Sequence, residues 1–105
     1  MAEGPEFDAP FVVKYLGDAR RILDRLDGGA IERIAVGLAE LAARGGRLFI
    51  LGVGGGAAHA GHAVNDFRKT CGLEAYAPTD NVAELTARAI DHGWDNVFAE
   101  WLRQS

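Results

Sequence analysis

Arg47-Leu48-Phe49-Ile50-Leu51-Gly52-Val53-Gly54-Gly55-Gly56-Ala57-Ala58 is the stretch on which the fold of this chain turns. An unbroken apolar run, Leu48 to Leu51, meets the glycines at 52, 54, 55 and 56, and a helical pattern starts at once from Ala57. The apolar run is of the kind buried on both faces of a parallel sheet. Glycine lets the backbone turn sharply and approach a ligand with no Cβ in the way. The free N–H groups at the start of the following helix, with its dipole behind them, favour an anion, most often a phosphate. Gly52, Gly54, Gly55, Gly56 and Ala57 are therefore candidate phosphate-binding residues at a strand–loop–helix junction. The other reading is a tight turn that lets helix and strand pack closely.

On the N-terminal side, Phe11, Val12, Tyr15, Leu16, Ala19, Ile22, Leu23 and Leu26 recur at helical spacing, with Asp8 placed to cap and Pro10 suited to the first turn. Gly28-Gly29 reads as the stop of this helix. A second helix carries Ile31, Ile34, Ala35, Leu38, Leu41 and Ala42 and ends at Gly45-Gly46. Residues 1–9 read as a tail and residues 10–45 as a helical hairpin. Its apolar surface exceeds what one short strand can cover, which points to contact with another subunit.

On the C-terminal side, a third helix is expected from about Ala57 to Thr70 and a second strand from Leu73 to Ala77. Pro78-Thr79-Asp80-Asn81 is turn chemistry. Asn81 with Glu84 resembles a capping box for a fourth helix bearing Val82, Leu85, Ala89 and Ile90. After Gly93, a last helix spans Trp94 to Leu102 with Val97, Phe98, Trp101 and Leu102 inward. The order ααβαβαα predicts an α/β fold with parallel strands, residues 46–105 forming its βαβαα part. Two parallel strands are fewer than such a sheet needs, so the expectation is a fragment or a sheet completed by a partner.

With 105 residues, a hydrophobic content of 49% and 25% charged residues, the chain reads as one small globular domain. A net charge of −4, with Lys and Arg scattered along the chain, argues against nucleic acid as a partner. Cys71 is the only cysteine, so no internal disulfide can form. The acidic start Met1-Ala2-Glu3-Gly4-Pro5-Glu6 lacks the apolar core of a signal peptide, and no run approaches the roughly 20 apolar residues of a membrane span. The expectation is a cytoplasmic protein with no membrane partner.

His59, His62, Asp66 and Lys69 share one face of the third helix, opposite Ala60, Ala63, Val64, Phe67 and Cys71. A histidine and a carboxylate one turn apart, downstream of a phosphate loop, can hold a polar substrate and move a proton. They can equally give two ligands to a divalent metal, or form an ordinary solvated face. His92 near a helix end suits a capping role. Thr79 and Asp80 follow the second strand, at the sheet edge where open α/β folds bind ligands. Gly52-x-Gly54-x-x-Ala57, with Glu74 further on, also fits a dinucleotide fingerprint. The two leading helices and the position of Glu74 at the start of its strand argue against that, and no nucleotide cofactor is expected.

These segments together resemble the sugar isomerase (SIS) family and, within it, the phosphoheptose isomerases. Gly52-Val53-Gly54-Gly55-Gly56-Ala57-Ala58 is similar to the family's G-N-G-G-S-A-A loop, and His62-Ala63-Val64-Asn65-Asp66 to its H-F-A-A-E segment. Thr79-Asp80-Asn81, with the run from Leu85 through Asp91-His92-Gly93-Trp94-Asp95-Asn96-Val97-Phe98-Ala99, resembles L-T-A-I-A-N-D-Y-G-Y-D-E-V-F-A. The resemblance implies a flavodoxin-like αβα sandwich, a homotetramer assembled with the help of the N-terminal helices, and isomerisation of sedoheptulose 7-phosphate through an enediol. It also implies Asp66 as the base, His62 as its assistant, and zinc on these two positions in some members.

The departures are Val53 for asparagine, Gly56 for serine and Asp66 for glutamate. The family's second phosphate loop, of the S-T-S-G-N-S type, and its C-terminal glutamine and histidine fall beyond Ser105, so this is expected to be the N-terminal half of such a domain. The family also holds non-catalytic members, including an adaptor for the replication initiator DnaA whose Thr-Asp-Asn-Val segment resembles Thr79-Asp80-Asn81-Val82. A sugar-phosphate isomerase is the first reading, and a non-catalytic phosphosugar-binding regulator or adaptor the second.

Overall fold

The computed structural model describes residues 9–105, with side chains from Pro10 onward. Asp8 and the tail lie outside the described residues, except that Ala9 already belongs to the first helix. Two compact units divide the chain, one ending at Ala35 and the other spanning Val36–Ser105.

In the first unit, α1 spans Ala9–Arg25, and α2, Gly28–Ala43, begins. Gly28-Gly29 does not lie between the helices as a stop; it forms the first two positions of α2. The backbone N–H of Ala30 donates to the Asp27 carboxylate at 3.1 Å, so Asp27 caps α2.

The second unit opens with the rest of α2, which closes where the N–H groups of Gly45 and Gly46 donate to the carbonyls of Ala42 and Leu41. Strand β1 (Arg47–Phe49), α3 (Gly55–Cys71) and β2 (Glu74–Tyr76) follow, forming a parallel crossover unit. A 3-10 turn at Pro78–Asp80 leads to α4 (Val82–His92), and a second at Trp94–Asn96 leads to α5 (Val97–Arg103). The last helix is thus shorter than its sequence pattern suggests. The Asn81 side chain accepts from the Glu84 N–H at 3.0 Å and caps α4, whereas the Glu84 carboxylate turns to Arg88 and does not complete a reciprocal box.

The sheet pairs Arg47 with Glu74, Leu48 with Ala75 and Phe49 with Tyr76. The N–H of Ile50 donates to the Tyr76 carbonyl at 2.9 Å, which extends the ladder past β1. One sheet face carries Leu48, Ile50, Ala75 and Ala77 onto Ala60, Val64 and Phe67 of α3, and this small-residue layer is the core. The opposite face carries Phe49 and Tyr76, their rings stacked at 6.1 Å, with Trp101 of α5 edge-on to Phe49 at 5.3 Å.

Burial differs from the sequence expectation at several positions. Leu48, Phe49 and Ile50 are only partly buried and Leu51 is exposed, because β1 has a paired neighbour on one side alone among the described residues. Leu102 and Cys71 lie at the ends of their helices and are exposed. On α4, Val82 and Ile90 face outward, while Leu85, Arg88 and Ala89 are partly buried.

Candidate functional site

Because the two strands run parallel, the loops that follow them leave the same edge of the sheet. The glycine loop lies between β1 and α3, and Thr79-Asp80 lies in the turn after β2. Two glycines of the loop are irreplaceable on backbone grounds. A Cβ on Gly52 would collide with the carbonyl of Gly56, so the chain folds back on itself there with no room for a side chain. Gly54, the residue before α3, has φ +56° and ψ −126°, a conformation open essentially to glycine alone.

The N–H of Gly56 donates to the Val53 carbonyl at 2.9 Å, and that of Ala57 to the Gly54 carbonyl at 3.1 Å. Those two donors serve the turn. The N–H groups of Gly54 and Gly55 have no acceptor among the described residues and stand at the head of a helix of 17 residues. They are the donors best placed for an anion.

Thr79 is partly buried, and its Oγ1 is enclosed with no hydrogen-bond partner among the described residues. An enclosed hydroxyl in that state calls for a water or ligand group to complete it. Asp80 is exposed and lines a cleft of about 270 Å³ with Arg68, Tyr76, Asn81, Glu84 and Trp101. The Arg68 guanidinium lies over the Tyr76 ring at 5.4 Å, keeping a cation at this cleft. Sequence reasoning missed Arg68, whose only local mark is a basic residue in the last turn of α3.

His62 and Asp66 do come together: His62 Nε2 lies 3.2 Å from Asp66 Oδ2, one helical turn apart. Their side chains are 78% and 60% exposed. On α3 they lie roughly 100–140° around the helix from Gly61, the residue that meets Asp80. No hydrogen bond or ion pair joins the two groups among the described residues. His59 is also exposed. For zinc, His62 and Asp66 supply two of the three or four protein ligands such a site takes, and no group of three suitable side chains exists among the described residues. A zinc held on His62 and Asp66 would need further ligands beyond these two.

Glu74 is committed elsewhere. Its carboxylate accepts the Tyr76 hydroxyl at 2.8 Å, which holds the phenol above its ordinary value, helped by partial desolvation and the nearby negative charge. It also begins β2, away from the edge where a ribose would sit.

No family model matches the chain. Among curated proteins, it is 37% identical over 87 residues to the phosphoheptose isomerase of Roseiflexus sp., an alignment covering 78% of this chain and 44% of that protein. It is 40% identical over 81 residues to the phosphoheptose isomerase of Methylococcus capsulatus, covering 72% of this chain and 42% of that protein. Over roughly three quarters of its length the chain is therefore similar to phosphoheptose isomerases, and it spans less than half the length of the relatives it matches.

Proposed function

We propose that this chain carries part of a sugar-phosphate isomerase of the phosphoheptose type, acting on sedoheptulose 7-phosphate. The observation that carries this reading is the His62–Asp66 pair, set on the helix that Gly54 precedes and Gly55 begins, two residues whose N–H groups have no acceptor among the described residues. In this reading the phosphate is held at the glycine loop, and Thr79 and Asp80 receive hydroxyls of the sugar. The Asp66 carboxylate takes the proton from the carbon beside the carbonyl, leaving an enediol. Returning the proton to the neighbouring carbon, with His62 moving the hydroxyl proton, completes the aldose–ketose exchange. Zinc on His62 and Asp66, as in some resembling proteins, needs further ligands from elsewhere, and no step above depends on it.

Asp66→Asn keeps the shape and removes the basic electron pair. It should lower turnover of sedoheptulose 7-phosphate on the order of a hundredfold with little change in binding. Near wild-type turnover in that variant removes Asp66 from the mechanism. The second reading, a phosphosugar-binding regulator or DnaA adaptor, is favoured by Val53 and Gly56, which offer no polar side chain to a substrate. Calorimetric binding of the sugar phosphate without turnover by the wild-type protein would select it.

A further inference from the structure

Gly61 sits inside α3, in its second turn, at neither a cap nor a bend. Glycine there is disfavoured against alanine. One group stands in the space that a Cβ would take: a Cβ built on Gly61 would lie 3.2 Å from Oδ1 of Asp80, tighter than ordinary van der Waals contact, and outside the helix's own backbone no other atom of the described residues comes within 4 Å. The Asp80 carboxylate thus rests on the bare Cα of Gly61. It makes no hydrogen bond or ion pair among the described residues, while its backbone N–H is tied to the Ala77 carbonyl at 3.1 Å. The backbone of Asp80 is anchored, and its acceptor oxygens are left open at the edge where both loops emerge.

We propose that Gly61 is a positioning residue for Asp80: by lacking a Cβ, it seats that carboxylate against α3, where it accepts hydroxyl hydrogens of a bound polyol phosphate. The ligand in this statement rests on the reading under Proposed function; the placement of the carboxylate does not. A side chain at position 61 drives the carboxylate outward, by a few tenths of an ångström for alanine and by more for the bulkier leucine. Displacements on that scale matter to an acceptor aimed at a hydroxyl.

The test is a double-mutant cycle between positions 61 and 80, read in two ways. By calorimetry with sedoheptulose 7-phosphate, Gly61→Ala should weaken binding by about tenfold and Gly61→Leu as much as Asp80→Ala. Neither should weaken it further in an Asp80→Ala background. By thermal melting without ligand, Gly61→Ala in the Asp80→Ala background should raise the melting temperature by about 4 °C, and by clearly less when Asp80 is present. A protein made more stable and yet poorer at binding is the signature, since a merely structural glycine would not couple to Asp80. Unchanged affinity in Gly61→Ala, or equal losses with and without Asp80, overturns the proposal; the alanine cycle decides even if the leucine variant does not fold. If the wild type does not bind the sugar phosphate, the isomerase reading falls. The melting cycle then still decides the placement: coupling upholds Gly61 as the seat of Asp80, and equal stabilisation in both backgrounds overturns it.

Discussion

Gly54 carries more of the loop than its size suggests. Its φ of +56° with ψ −126° would strain any residue with a Cβ by about 1–3 kcal/mol, yet no described residue occupies the space beside it. Gly54→Val should therefore leave the helices largely intact by circular dichroism while abolishing sugar-phosphate binding, because the strained backbone can no longer present the N–H groups of Gly54 and Gly55. Unchanged calorimetric affinity would make the loop a packing turn only. Tyr76 is a second residue with a measurable consequence. The bond from its hydroxyl to Glu74 favours the neutral phenol, so its pKa lies above the ordinary value of about 10 in the folded protein. The stabilisation is fully present below the unfolded pKa and is lost as pH rises through the higher folded one. Ultraviolet titration should show one tyrosine ionising late, and Glu74→Gln should bring it back toward the ordinary range.

Among the elements, α4 and α5 are joined by one side chain. Arg88 is only 11% exposed and donates to the Glu84 carboxylate at 2.8 and 3.2 Å, to Gln104 Oε1 at 2.8 Å and to the Glu100 carbonyl at 3.3 Å. A guanidinium satisfied this fully holds two helices together, and its removal leaves several acceptors unpaired. Arg88→Ala should cost about 2 kcal/mol, read as a lower urea midpoint, whereas Arg88→Lys recovers only part because an ammonium cannot reproduce the planar fork. The sequence shows a Glu84–Arg88 pair at helical spacing, which is worth little by itself. Its partners Glu100 and Gln104 become visible only when α5 is folded back on α4.

For the whole molecule, the apolar stripes of α1 and α2 pose the main question. Tyr15, Leu16, Ile22, Leu23, Ile31 and Ile34 are all exposed. A display of that extent usually marks an interface. We expect a homo-oligomer, a tetramer by the family resemblance, built on these helices. Light scattering should give a mass several times that of the chain, and Ile22→Glu with Leu23→Glu should reduce it. A stable, monodisperse monomer of the unaltered protein would end this expectation. No described helix is long and apolar enough to cross a membrane.

The local grammar of the chain was legible directly. Apolar spacing by threes and fours, the Gly45-Gly46 stop, the Asn81 cap and the strand–glycine–helix junction all depend on residues within a few positions of one another, and each formed at or near its expected place. Gly28-Gly29 was misread for a related reason: the Asp27 carboxylate, next to the pair, turns a stop into a start. Of the candidate site, the His62–Asp66 pair followed from helical spacing alone. Tertiary structure decided what spacing cannot encode. Whether Ile90, Leu102 or Leu51 is covered depends on neighbours far away along the chain, and here Ile90 is 84% exposed. The seating of Asp80 on Gly61 and the enclosure of the Thr79 hydroxyl were equally beyond the sequence, since each arises where a turn after β2 meets α3 or the core. Backbone hydrogen bonding is short-range and writes itself into the local sequence; burial and close approach are set by which surfaces meet once the chain has folded.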